Sequence, residues 1–148
     1  MKTFVLLMHL IKFYSMFRVI MKYPLSIIVI IMITYLSLFK PPKTSLNTIE
    51  NLDKVIHMCM YLGLSGVIWF EYLRKHTKDF NLKTIIIYGG GFPILFGGLM
   101  ELVQKYLTTN REGDWLDFTA NSAGVILACL IGYYILRPLF TRKAHHNA

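Results

Sequence analysis

Residues 118–136 read FTANSAGVILACLIGYYIL, a run with no charged side chain that Arg137-Pro138 closes. A charge-free apolar stretch approaching ~20 residues is what an α-helix needs to cross the hydrocarbon core of a bilayer. Working outward, three further apolar blocks precede it. Thr84 to Leu107 is broken by Gly89-Gly90-Gly91 and Pro93, where a kink or local unwinding is expected. Val55 to Leu73 is closed by Arg74-Lys75. Pro24 to Phe39 carries no charge, has Tyr23 and Tyr35 to sit near the interfaces, and opens on a proline suited to a first helical turn. The predicted fold is therefore all-α: a polytopic membrane protein of four transmembrane helices.

The 148 residues are 55% hydrophobic, with mean hydropathy +0.48. The excess over a soluble domain is modest; the segregation of apolar blocks from charged joins decides the class. Before the first block, residues 1–22 are apolar but interrupted by Lys12, Arg18 and Lys22. No small-residue cleavage site follows, so the expectation is an interfacial amphipathic helix and not a signal peptide. Residues 23–140 then form the four-helix domain, and 141–148 a loose polar tail. Cys59 and Cys129 both lie in apolar blocks as small packing residues, without a disulfide framework or a CxxC pair.

The net charge of +8 comes without a basic groove interleaved with aromatics, which argues against nucleic acid. The basic residues instead sort by face. Eleven lie on the side of the N-terminus, the loop between helices two and three, and the C-terminus; five lie on the other. The richer face is expected to be cytoplasmic, with both termini inside and membrane lipids as the charge partners.

Six of the eight acids fall on the opposite, outer side: Glu50, Asp53, Glu101, Glu112, Asp114 and Asp117. Asp53 and His57 are four apart and share a face at the start of helix two. Glu101 follows Thr84 by about 26 Å of helix, close to a full crossing. It shares a face with Gln104 and Thr108, and Gly90, Ile94 and Gly97 continue that face downward. In helix four, Asp117, Asn121, Gly124, Ala128 and Gly132 make another stripe whose small residues admit a neighbouring backbone. The two stripes are expected to pack on each other, gathering Asp53, His57, Glu101, Gln104, Asp117 and Asn121, with Arg111 in the short loop as counter-ion. Ionisable groups at membrane depth are costly and mark functional sites. The plainer reading makes Asp117 the N-cap of helix four and His57 an ordinary interfacial histidine. One histidine among scattered carboxylates has no metal-ligand spacing, so neither metal nor other cofactor is expected.

Asp53-Lys54-Val55-Ile56-His57 with Tyr61 resembles the opening motif of the VanZ-like family. Glu101-Leu102-Val103-Gln104, then Arg111, then Asp114-Trp115-Leu116-Asp117 with Asn121 and Gly124 resembles its closing motif. The resemblance runs roughly from Asp53 to Gly132; helix one matches by hydropathy alone. It implies a bacterial plasma-membrane protein of the cell envelope, in a family whose founding member is associated with resistance to the glycopeptide antibiotic teicoplanin. Three functions follow. The first is a non-catalytic envelope protein that alters how such antibiotics reach their target. The second is a membrane enzyme on a lipid-linked or headgroup substrate at the outer leaflet, with Glu101 or Asp117 as acid or base and Arg111 holding an anionic group. The third is an assembly subunit whose polar cluster shapes a helix interface. No GxSxG, HExxH or P-loop signals standard hydrolase or ATPase chemistry.

Overall fold

A computed structural model describes residues 7–8, 22–38, 51–107 and 114–146. The amphipathic segment expected over residues 1–22 lies almost wholly outside these, as does Arg111. The described residues are helical apart from short joins such as residues 76–81, with no strand among them. Helix α1 is Pro24–Leu38 and α2 is Leu52–Lys75. Helix α3 runs through three parts: Leu82–Ile86, a π-helical turn Ile87–Gly91, and Phe92–Leu107. Helix α4 does likewise: Trp115–Ile131, a π-turn Gly132–Leu136, and Arg137–His146. Three of these stretches are long and apolar enough to cross a membrane (Leu52–Lys75, Leu82–Tyr106 and Trp115–Arg142), and α1 is a shorter apolar helix of 15 residues.

The surface supports the same reading. Ile28, Ile31, Leu95, Leu99, Ile126 and Ile135 all point outward and stay exposed. A water-soluble bundle would place polar groups there; in a bilayer that surface meets acyl chains. Multi-pass insertion in a membrane is the environment this surface suits.

Both π-turns end two residues before a proline, Pro93 and Pro138. A proline has no N–H for the carbonyl four residues back and crowds that carbonyl, so a widened turn accommodates it. The amide of Phe92 bonds the carbonyl of Ile87, and that of Arg137 the carbonyl of Gly132. Pro93 thus orphans the Gly89 carbonyl, which accepts a hydrogen bond from Ser65 Oγ of α2 instead, with Cys129 Sγ at 3.7 Å. The unwinding expected at Gly89–Pro93 is this π-turn. The end expected for helix four at Arg137-Pro138 is not an end. The helix continues to His146 because the second π-turn absorbs the proline, so residues 141–146 of the supposed loose tail are helical.

The two π-turns also flank one side chain. Trp69 of α2 is fully buried. A Cβ on Gly89 would meet its indole at 2.9 Å, and one on Gly132 would overlap its ring. Around it lie Ile33, Leu64, Ile68, Ile85 and Val125. The small stripe of α4 is buried along its length, but its partner is α2 and not α3 as expected. A Cβ on Gly124 would strike the Met58 carbonyl, with Leu62 N at 3.0 Å. The α3 glycines face between the two: Gly97 lies against Tyr61 at 3.2 Å and Asn121 Cβ at 3.5 Å, and Gly90 against Cys129 Sγ at 3.4 Å. Helix α2 therefore occupies the centre, which spacing along α3 and α4 alone does not reveal.

Candidate functional site

The N-terminal turns of α2, the C-terminal turns of α3 and the N-terminal turns of α4 meet at one end of the bundle. Their polar side chains are buried: His57 is 2% exposed, Glu101 6%, Gln104 2%, Asp117 7% and Asn121 1%. Polar groups so enclosed are costly unless paired, and here most of them are.

Asn121 is the bridge. Its Oδ1 accepts from His57 Nδ1 at 3.1 Å, and its Nδ2 donates to Glu101 Oε1 at 3.3 Å. The other oxygen of Glu101 accepts the backbone N–H of Asp114 at 3.1 Å. Asp114, not Asp117, is the N-cap of α4, accepting from Leu116 N at 2.9 Å. Asp117 sits in the first turn, where a carboxylate complements the helix dipole. It faces inward, with Oδ2 3.5 Å from His57 Nε2. With the His57 Nδ1 proton committed to Asn121, Nε2 and the Asp117 carboxylate are both acceptors. Two acceptors facing each other repel, and a donor placed between or on either of them would turn the contact attractive. His57 Nε2 and Asp117 Oδ1 have no hydrogen-bond partner among the described residues. Lys54 Nζ closes the outer side, 3.2 Å from Asp53, 3.8 Å from Asp114 and 4.0 Å from Asp117.

The expected residues do not all share one role. His57, Glu101, Asn121 and Asp117 converge. Asp53 does not join them: its side chain is 52% exposed and pairs with Lys54 at the rim. Gln104 turns to α1, donating from Nε2 to the Ser37 carbonyl at 2.8 Å. It thereby binds the C-terminal turn of α1 to α3, a tie that the hydropathy of helix one does not show. Lys54 carries no warning in the sequence; only its neighbours' charges give it a place here.

Glu71 is a functional residue that the apolar-block reading does not single out. It is buried in α2 at the opposite end, and its carboxylate caps the start of α1. It accepts from Leu25 N at 3.1 Å, Ser26 N at 3.0 Å and Ser26 Oγ at 2.6 Å. The first amides of a helix lack internal partners, and Tyr23-Pro24 supplies no capping side chain. A lone acid inside the apolar block Val55–Leu73 was the available signal.

Three side chains could hold a cation. One ligand atom each from His57, Glu101 and Asp117 lies within 4.8 Å of the others. The set exists only in the fold, since the three are 44 and 16 positions apart in sequence. Comparison with family models, with curated proteins and with solved structures finds no match to this chain.

Proposed function

We propose that this chain is a VanZ-like, four-span protein of the bacterial plasma membrane whose activity resides in the His57–Asn121–Glu101–Asp117 centre, and that it contributes to teicoplanin-type glycopeptide resistance. One observation carries the reading. The residues of the opening and closing motifs, far apart in sequence, meet through direct hydrogen bonds in a buried polar centre. In this reading α1 is the fourth span. At about 22 Å it is short, and local thinning of the bilayer accommodates it. The basic loop between α2 and α3 and both termini face the cytoplasm, which puts the polar centre at the outer leaflet. There a lipid-linked or glycopeptide ligand has access.

The test is expression in a susceptible bacterial host. Wild-type protein is expected to raise the teicoplanin concentration needed to stop growth. His57→Ala, which removes the Asn121 bond and the Asp117 partner, is expected to abolish the increase at equal membrane levels. No increase with wild type would remove the resistance assignment.

A second reading is favoured by the facing pair of His57 Nε2 and Asp117 Oδ2. A histidine and a carboxylate facing each other at 3.5 Å in an enclosed site are the residue types that general acid–base chemistry on a headgroup substrate uses. His57→Gln separates the two readings: it keeps a hydrogen-bond donor but cannot shuttle a proton. Retained activity supports a binding role, and lost activity with an unchanged fold supports catalysis.

A further inference from the structure

At the end of the bundle opposite the polar centre, α1, α2, α3 and the loop between α2 and α3 line a half-open pocket of about 640 Å³. That is within the ~300–1,000 Å³ of ligand-binding pockets. Its three walls share one gradient. The lining passes from Lys22, just before α1, to Ile30 on α1, from His76, the C-cap of α2, to Ile68 on α2, and from Thr84 to Phe92 on α3. Each wall goes from a polar or charged rim to an apolar floor over about 12 Å of helix. Tyr23, Tyr72 and Tyr88 form the belt between, the level at which aromatic side chains sit at a membrane interface.

The rim is fixed in a cationic arrangement. Lys22 Nζ lies 3.1 Å from His76 Nε2, and His76 Nδ1 lies 3.1 Å from the Tyr72 carbonyl. Nδ1–H donates to that carbonyl, so Nε2 accepts from Lys22, and the remaining ammonium protons of Lys22 stay available. Lys75 Nζ lies 4.6 Å from the centre of the Tyr23 ring. Burial, with Tyr72 and Glu71 nearby, raises the pKa of the Tyr23 hydroxyl, which leaves it a neutral donor. Two acids lie at this end, Asp79 on the rim and Glu71, whose carboxylate is taken up by the Leu25 and Ser26 amides and the Ser26 hydroxyl. Lys22 before α1, Arg74 and Lys75 in the last turn of α2, Lys78 in the loop and Lys83 at the start of α3 outweigh them.

We propose that this cavity is a binding site for one anionic phospholipid, with its phosphate at Lys22 and Lys75 and an acyl chain along Ile27, Ile30, Ile68 and Phe92. Charge complementarity at the rim selects the anionic headgroup, and the polarity gradient along all three walls selects an amphiphile that enters from the membrane plane. The site rests on the membrane reading and lies away from the His57 centre. It would let lipid composition act on the packing of α1, the helix held by Glu71 and Gln104.

The test is native mass spectrometry of the full-length protein released from detergent, titrated with phosphatidylglycerol or phosphatidylcholine. One phosphatidylglycerol is expected to be retained at activation energies that strip other lipid, in preference to phosphatidylcholine. Lys22→Gln is expected to weaken its retention about fivefold, as loss of one interfacial basic contact implies. Ile27→Trp, which fills the cavity, is expected to remove it. Ile28→Trp, on the exposed face of the same helix, is expected to leave it and shows that α1 tolerates the bulk. Equal retention of the two lipids, or equal behaviour of the two tryptophan variants, would overturn the proposal. So would a high-yield cross-link between cysteines placed at Phe4 and Ile27, which would seat the chain's own N-terminal stretch in the cavity. Cysteine labelling from the two sides of the membrane tests orientation separately, so a wrong topology and a wrong lipid site give different failures.

Discussion

Gly124→Ala places a methyl group where α4 crosses α2. The new Cβ would overlap the Met58 carbonyl and stand 3.1 Å from its carbon and 3.0 Å from Leu62 N. These are backbone atoms of a helix, so no side chain can rotate away. The helices must separate by roughly 1 Å before ordinary contact distances return. Overpacking a rigid interior costs about 1–3 kcal/mol, and a backbone obstruction belongs at the upper end. Alanine's better helix propensity offsets about 1 kcal/mol. The net expectation is a loss of about 2 kcal/mol. Gly66→Ala on α2 is the control, because nothing lies within 4 Å of its added Cβ. It should be neutral or slightly stabilising. The assay is reversible unfolding in mixed detergent micelles, followed by tryptophan fluorescence, with Trp69 buried in the affected packing as reporter. Equal stability of the two variants would refute the close α2–α4 crossing.

Glu71→Gln leaves one carboxylate oxygen's worth of acceptor for the amides of Leu25 and Ser26 and the Ser26 hydroxyl. A loss of about 1–3 kcal/mol is expected, with faster hydrogen exchange at those two amides than at the middle of α1; unchanged exchange would show that the cap contributes nothing. Ser65→Ala should cost about 1–2 kcal/mol by leaving the Gly89 carbonyl only the weak Cys129 thiol donor, and less in a Pro93→Ala background, where a restored backbone amide supplies another donor. A double-mutant cycle measures this coupling, and strict additivity would separate the serine from the proline. Finally, in a cysteine-free background, an impermeant thiol reagent added from outside should modify a cysteine at Asn51 and spare one at Lys78. The reverse pattern would invert the proposed topology.

How far the sequence carries can be judged from particular residues. Block boundaries, except the end of helix four, are legible to within a few residues because charges and prolines punctuate apolar runs. His57, Glu101, Asp117 and Asn121 were legible because helical spacing places each on the inward stripe of its own helix. Which helix faces which was not legible: the α4 stripe fits any smooth partner, and only the three-dimensional fit of Met58 against Gly124 selects α2. The bond from Gln104 to the Ser37 carbonyl is not legible, since that carbonyl is a backbone group with no sequence signature. Glu71 is not legible in a block average, which conceals one acid. Pro138 reads as a stop because the remedy, the π-turn Gly132–Leu136, has no composition of its own.

The central claim is that the buried polar centre, and not the charged rim beside it, carries the function. It is tested most directly by comparing Glu101→Gln with Asp53→Asn at matched membrane levels in the teicoplanin susceptibility assay. Both substitutions remove one negative charge at nearly constant volume. In Glu101→Gln an amide donor must face either Asn121 Nδ2 or the Asp114 amide, so one buried hydrogen bond is lost and two donors oppose each other. Asp53→Asn acts on an exposed side chain paired only with Lys54 among the described residues, where ion pairs contribute ~0–1 kcal/mol. Glu101→Gln is expected to lose the resistance conferred by wild type while Asp53→Asn retains it. Full resistance with Glu101→Gln, or a greater loss with Asp53→Asn, would contradict the account.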